Sequence, residues 1–378
     1  MANTVKADPI PLFNLKKQHE PLQKEINAAV VKALESMQWI LGPETAAFEK
    51  EFAELIGTKY CVTCASGAAA LQIALLANGV GPGDEVITTP FTFIATTSSI
   101  SLTGAKFVFA DIDPVTCNLD PKLIEKKITP KTKAILPVHL FGYPADMDAI
   151  MAIARKHNLK VIEDCAQSHL AAVSGGKMTG AVSHAGAFSF YPSKNLGACG
   201  DGGAVTTNDE NIYKALLSLR HCGRKLDKTY EYGFEGSTLR MDEVQSAILR
   251  IKLRHLKDWT AQRTQVAKWY DEGLKGTPVT TPPAPPAGGS QSYYVYTIKA
   301  PKRDQLAAFL KENGIGSSVY YPLALYRQPV YEHLKLNPAD FPNSEKAVTE
   351  VLSLPMFPEL TKEQVARVCA AIKEFYSK

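Results

Sequence analysis

Between residues 60 and 207 the chain alternates short apolar runs with helical stretches, and this alternation constrains its fold more than any other feature. KYCVTCAS reads as a strand entering a loop at 66–67, and AAALQIALLAN as the helix that follows. DEVITTPF, AKFVFADID and KAILPVHL give short strands near 84–90, 106–111 and 134–140. Residues 146–157 give a helix, and LKVIEDCA a strand ending at the acidic pair Glu163 and Asp164. AGAFSFY (185–191) and GGAVTT (202–207) give two more strands. Strands separated by helices need crossover connections, so the expected class is α/β with considerable parallel character in the sheet.

The flanks read differently. The N-terminal arm is polar, with Pro9 and Pro11, and a helix follows over roughly 20–37, with Ile26, Val30, Val31 and Leu34 at helical spacing. ILGPE (40–44) interrupts it, and AAFEKEFAELIG predicts a second helix ending at Gly57. Residues 210–222 and 241–270 are expected to be helical, and TPPAPPAGGS (281–290) a loop. SYYVYTI then predicts a strand, RDQLAAFLKENG a helix, SSVYYPL an extended segment, and the end a helix from about 361. The expected division is a large domain over 1–250 and a smaller α+β domain over 251–378.

Composition excludes several classes. Hydrophobic residues are 45% and charged residues 21% of 378, which is globular rather than disordered. Seven cysteines are too few for a disulfide-stapled fold of this length. Lys and Arg number 42 against 38 Asp and Glu, with no long basic tract, so neither nucleic acid nor membrane is an expected partner. No apolar run is long enough to span a bilayer, and MANTVKADPIPLF lacks the pattern of a secretory signal. A cytoplasmic protein is expected.

The residues with chemical promise cluster. In FSFYPSKNLGACGDGG (188–203), Lys194 follows an apolar strand among Ser189, Ser193 and five glycines: Gly186, Gly197, Gly200, Gly202 and Gly203. A lysine in a turn is ordinarily a solvated surface group; one that loses its proton can form a Schiff base. Asp164, thirty residues earlier, ends a strand, where ligands of open α/β sheets bind. It can cap a helix, or it can pair with a protonated ring nitrogen as pyridoxal phosphate chemistry requires. Gln167 lies three residues on. ASGAAALQIAL (65–75) starts a helix whose first N–H groups suit a phosphate, although its small residues also suit tight packing. Ser189 can add a hydroxyl there, and Phe93 can stack on a flat ring or belong to the core. Cys61 and Cys64 form C-x-x-C without a second pair, and His139 and His169 have no metal-ligand spacing, so no metal is expected.

In combination, ILGPE (40–44), GPGDEVITTPFTFIAT (81–96), VHLFG (138–142), VIEDCAQSH (161–169) and FSFYPSKNLGACGDGG resemble, in order and spacing, the DegT/DnrJ/EryC1/StrS family of pyridoxal phosphate-dependent sugar aminotransferases. The likeness runs from IPLFNL (10–15) to LPMFPELT (354–361), almost the whole chain. It implies the fold-type I architecture, a large mostly parallel mixed-sheet domain followed by a smaller α+β domain. It implies that Lys194 bonds the cofactor and then carries the proton, that Asp164 pairs with the pyridine nitrogen, and that Gln167 lies beside the ring. Ser189 and the backbone at Gly67–Ala68 would bind the phosphate, and Phe93 would stack on the ring. Some relatives carry histidine in place of the lysine and deoxygenate; Lys194 favours transamination.

Two positions depart from the family pattern. SGA stands where SGT is common, so Ala68 offers no hydroxyl, and GSTLR (236–240) stands for G-x-N-x-R. Thr238 thus replaces an asparagine that reaches the neighbouring subunit's cofactor phosphate, and a threonine's reach is shorter. Arg220, His221, Arg224, Arg240 and Tyr320 are the substrate-binding candidates. The implied reaction passes an amino group from L-glutamate through pyridoxamine 5'-phosphate to a nucleotide-linked keto sugar, in a homodimer with shared sites. GDGG at 200–203 resembles members that aminate carbon 3. The alternatives are a 4-keto sugar, a keto-cyclitol, and a non-catalytic regulatory protein that binds the cofactor.

Overall fold

A computed structural model describes residues 8–378, so the start of the chain, MANTVKA, lies outside the described residues. Seven strands form the main sheet: β1 (Tyr60–Cys64), β2 (Glu85–Thr88), β3 (Lys106–Phe109), β4 (Thr132–Leu136), β5 (Lys160–Asp164), β6 (Ala185–Ser189) and β7 (Gly203–Thr207). Their spatial order is β1-β7-β6-β5-β4-β2-β3. Only β7 runs against its neighbours β1 and β6; the other pairs are parallel. The sheet is thus mixed and mostly parallel, as the alternation of strands and helices predicts. β5, β6 and β7 are almost wholly buried, because helices cover both faces.

This topology brings distant segments to one edge. β5 and β6 run in parallel with Asp164 opposite Ala187, so Asp164 and Ser189 leave the sheet side by side. β7 lies between β1 and β6 and opposes both; Gly203 pairs with Cys64 on one side and with Ser189 on the other. A side chain at Gly203 would place its Cβ 2.3 Å from the Ser66 carbonyl, so glycine lets the β1 turn close over the sheet edge.

The C-terminal part builds a second core. β8 (Tyr296–Lys299) and β9 (Val351–Leu354) pair antiparallel, and Ser318 bridges to Ser353, so SSVYYPL is extended. Helices Leu256–Gly273, Arg303–Glu312 and Lys362–Ser377 cover this ribbon. Ile10 inserts into the same core, and Tyr294, Val295, Ala347 and Val351 join the core of the main sheet, so the packing crosses any cut near residue 250. Adjacent tyrosines divide between the two: Tyr293 packs into the C-terminal core and Tyr294 into the main one. Arg263 ties them, donating through Nη1 to the carbonyls of Tyr293, Tyr294 and Met356 at 3.1, 3.3 and 3.2 Å.

The expected helix over 241–270 is two helices, Glu243–Leu253 and Leu256–Gly273. The first packs Ile248 and Ile251 on Ile26 near the N terminus, and the second sends Val266, Ala267 and Tyr270 into the C-terminal core. Serving two cores, the chain turns at Arg254–His255.

Candidate active site

Asp164 is buried at the end of β5. Its Oδ1 accepts from the Ala166 N–H at 3.1 Å and its Oδ2 from the Thr96 hydroxyl at 3.0 Å; Thr96 in turn lies 3.1 Å from the Thr92 hydroxyl. Burial raises its pKa, opposed by those donors and by the charge of Lys194. A carboxylate in this position has much to gain from a cationic partner.

Gln167 is fixed at both ends of its amide. Oε1 accepts from the Phe141 N–H at 2.7 Å, and Nε2 donates to the Tyr321 hydroxyl at 3.1 Å. The ring of Phe93 is 6.2 Å from that of Tyr321 and remains 57% exposed, a free aromatic face beside this pair. Ser66 caps helix Gly67–Ala77 by accepting from the Ala69 N–H at 3.1 Å. The N–H groups of Gly67 and Ala68 come first in that helix, where no preceding turn supplies a carbonyl. Gly67 lies against Ser189 so closely that a Cβ on Gly67 would be 2.5 Å from the Ser189 Cβ and 3.0 Å from its Oγ. Helix N–H groups, a hydroxyl and a glycine that keeps space open make an anion cradle.

Lys194 follows β6 at a turn in which its N–H donates to the Tyr191 carbonyl at 2.8 Å. Its Nζ lies 4.4 Å from the centre of the Tyr294 ring, whose hydroxyl is 3.2 Å from Ser193 Oγ. Burial lowers its pKa from 10.5 to about 8, against the pull of Asp164. A lysine in that range holds an appreciable neutral fraction near neutral pH, as a nucleophile or proton carrier requires. Acid, amide, exposed ring, anion cradle and tuned amine together fit the parts of pyridoxal 5'-phosphate: ring nitrogen, ring edge, ring face, phosphate and aldehyde.

The sequence profile described as the DegT/DnrJ/EryC1/StrS aminotransferase family matches residues 20–373. The chain belongs to this family. Among its relatives is a protein of Geobacillus stearothermophilus named "Pleiotropic regulatory protein", 47% identical over 370 residues, covering 97% of this chain and 98% of that one. A second is the UDP-2-acetamido-2-deoxy-3-oxo-D-glucuronate aminotransferase of Pseudomonas aeruginosa, 43% identical, covering 96% of this chain and 99% of that one. Among solved structures, Streptomyces venezuelae DesV in complex with a ketimine intermediate superposes with a TM-score of 0.95 at 40% identity, covering 98% of this chain and all of that one. The family's aminotransferases depend on pyridoxal phosphate.

The substrate candidates of this aminotransferase chain separate. Arg220 departs from the expectation. Its guanidinium is buried and forms an ion pair with Glu49, which also accepts from Thr63 N and Oγ1 at 2.8 and 2.7 Å. A partner 171 residues earlier thus ties Arg220 to the fold. His221 and Arg240 pair with each other, Arg240 Nη1 lying 3.0 Å from His221 Nδ1. His221's pKa is lowered by partial burial and by Arg224, Arg240 and Arg220, so the ring accepts rather than competes for charge. Thr238 bridges to His221, is exposed, and lies 3.3 Å from Cys222 Sγ; its hydroxyl bonds there rather than to the cradle. Arg224 bridges to Tyr232 in the same excursion, and Tyr320 stands with its ring 5.7 Å from that of Tyr321.

Sequence reading passed over Thr96, Tyr294, Tyr321 and Asn195. A hint existed in the hydroxyl-rich TTPFTFIATT and in the tyrosines of SYYVYTI and SVYYPL. His139, Glu163 and Cys165 are the one close group of potential metal ligands among the described residues. His139 Nε2 is 3.0 Å from Glu163 and its Nδ1 accepts from Ala145 N, while Glu163 also takes Gly180 N, Val182 N, Ser183 N and the Ser183 hydroxyl. These atoms are engaged in holding loops. His169 is packed against Phe188 and Phe190, and burial lowers its pKa to about 3.

Proposed function

We propose that this chain is a pyridoxal 5'-phosphate-dependent aminotransferase that moves an amino group from L-glutamate to a nucleotide-linked 3-keto sugar, with pyridoxamine 5'-phosphate as the amino-loaded form. The observation that carries the reading is Lys194, its pKa brought down to about 8, in one site with a buried aspartate at a strand end and an anion cradle at a helix start. When bound, the cofactor supplies an aldehyde that condenses with amines and a protonated ring that withdraws electrons from the neighbouring carbon. Asp164, oriented by Thr96 and Ala166, keeps the proton on the ring nitrogen. Gln167 holds the ring edge, Phe93 covers a ring face, and Ser189 with the N–H groups of Gly67 and Ala68 receives the phosphate. Lys194 Nζ removes the α-proton of the donor and returns one to the acceptor in the second half. Tyr294 and Tyr321 shield that transfer from bulk water.

The sugar and its position are supported by the Pseudomonas relative named for a 3-oxo substrate and by GDGG at 200–203. Exposed Met37, Trp39, Ile40, Tyr230, Tyr232 and Phe234 support a homodimer, since such side chains are ordinarily covered. Thr238 would then serve the partner's cradle, with Arg224 and Arg240 near the substrate phosphates. We retain residues 1–250 and 251–378 as the two domains, interlocked by the crossings described above. No helix among the described residues is long and apolar enough to cross a membrane, and we assign the activity to the cytoplasm.

The test is a product-resolved assay with L-glutamate and matched 3-keto and 4-keto nucleotide sugars. Amination at carbon 3 is expected; preference for the 4-keto compound overturns the positional assignment. A second reading, a regulatory protein that binds the cofactor without turnover, is favoured by the name of the Geobacillus relative and by Ala68 and Thr238. Yellow protein that no amino donor bleaches supports that reading.

A further inference from the structure

Lys252 lies in helix Glu243–Leu253 and is only 6% exposed. Its ammonium donates to the Gly197 carbonyl at 2.7 Å, and no carboxylate forms an ion pair with it among the described residues. A buried charge met by one carbonyl is a costly choice, and an apolar side chain of the same length would fold at least as well. Seven residues earlier, on the same helix face, Gln245 pairs its amide with both backbone groups of Cys199. Its Oε1 accepts from Cys199 N at 2.9 Å and its Nε2 donates to Cys199 O at 3.3 Å.

Both interactions fall on the loop that carries Lys194. The loop lies close against the helix and the residue pair before it: a Cβ at Gly200 would stand 3.0 Å from Gln245 Nε2, and one at Gly202 2.9 Å from Met241 Sδ, just ahead of the helix. It also folds back on itself. A Cβ at Gly197 would be 2.2 Å from the Pro192 carbonyl, and Ala198 N donates to Phe190 O at 2.8 Å. Holding Gly197 therefore holds the backbone on both sides of Lys194. From the other side, Asn195 Nδ2 donates to Ser292 O at 2.8 Å, and Ser292 Oγ to Gln167 O at 3.1 Å.

We propose that Lys252 and Gln245 are positioning residues that clamp the Lys194 loop. The inference rests on the role given to Lys194 in the proposed function. A lysine that gives up its bond to a donor amine, moves a proton and then returns has four rotatable side-chain bonds to re-order. Fixing its Cα leaves only those to search, and a proton transfer needs its atoms held to a fraction of an ångström. Neither Lys252 nor Gln245 touches the reacting atoms; they act through Gly197 and Cys199.

The test uses Lys252→Met, which keeps the apolar stem, and the half-buried Gln245→Leu as an independent variant. Amide hydrogen exchange is read by mass spectrometry on the cofactor-free protein. Exchange across 193–203 is expected to rise about tenfold in each variant, the effect of removing one charge-assisted or amide hydrogen bond, while β5 exchanges as before. In the loaded enzyme kcat should fall about tenfold with the KM for L-glutamate held. Wild-type exchange in the loop of both variants overturns the proposal, and so does a loss of stability that accelerates the whole chain equally. Borohydride reduction of the loaded wild type, followed by peptide mapping, tests the role of Lys194 separately. Cofactor absent from the Lys194 peptide removes the functional reading, whereas the exchange data alone decide whether the loop is clamped.

Discussion

Replacing Lys194 by methionine is expected to stabilise the cofactor-free protein while removing its activity. Burial lowers the lysine pKa from 10.5 to about 8, a difference that corresponds to about 3 kcal/mol of disfavoured charge at pH 7. Lys194 keeps some exposure to solvent, so this is an upper bound. Against it stands the attraction of the ammonium for the Tyr294 ring 4.4 Å away, about 1 kcal/mol at a partly shielded site. Methionine keeps the stem on the ring and drops the charge, so the burial cost prevails and the net gain is about 2 kcal/mol at pH 7. The sign with pH follows from proton binding. Between pH 8 and 10.5 the unfolded chain holds the proton that the folded chain has released, so wild-type stability rises with pH. The penalty is complete below pH 8 and disappears above 10.5, and the ring attraction is lost with the same proton, so the advantage of Lys194→Met shrinks by about 40% at pH 9.5. Urea unfolding of both cofactor-free proteins at pH 7 and 9.5, fitted with a common m-value, measures it. A variant no more stable than wild type at pH 7, or an advantage that does not change with pH, refutes the reasoning.

Gly67→Ala forces a Cβ to within 2.5 Å of the Ser189 Cβ, and either the helix start or the serine must move. The Kd for pyridoxal 5'-phosphate, read by absorbance titration, should rise at least about tenfold; an unchanged Kd would separate the cradle from the phosphate. Arg220→Met leaves the half-buried Glu49 carboxylate without its cation and should cost about 2 kcal/mol in urea unfolding. Unchanged stability together with a raised KM for the sugar nucleotide would return Arg220 to the substrate.

The chain order of strands and helices was legible because each element carries its own period, and the sheet edge followed from where the apolar runs stop. Asp164 and Lys194 stood out as polar groups at or beyond the ends of apolar strands, and the family resemblance added Gln167 and Ser189. The residues that orient them did not. Thr96 reaches Asp164 from 68 residues away, and Tyr321 meets Gln167 across 154. Nothing local marks such a pairing, since a buried hydroxyl in a sequence looks like any other. Arg220 shows the converse. The resemblance made it a substrate-binding candidate, and only the fold brings Glu49 against it. The break at Arg254–His255 was hidden because both halves of 241–270 keep helical periodicity, and the change is in which core each half serves.

Tyr293 and Tyr294 point into different cores, and that division has a genetic consequence. A substitution in helix Lys362–Ser377 that loosens the C-terminal core acts on Tyr293, on Arg263 and through them on the ring beneath Lys194. In a colony screen for loss of cofactor colour, hits would therefore map to the end of the gene as well as to the motifs around Asp164 and Lys194. The two groups would part on addition of excess pyridoxal phosphate, which should recolour the first and leave Lys194 variants pale.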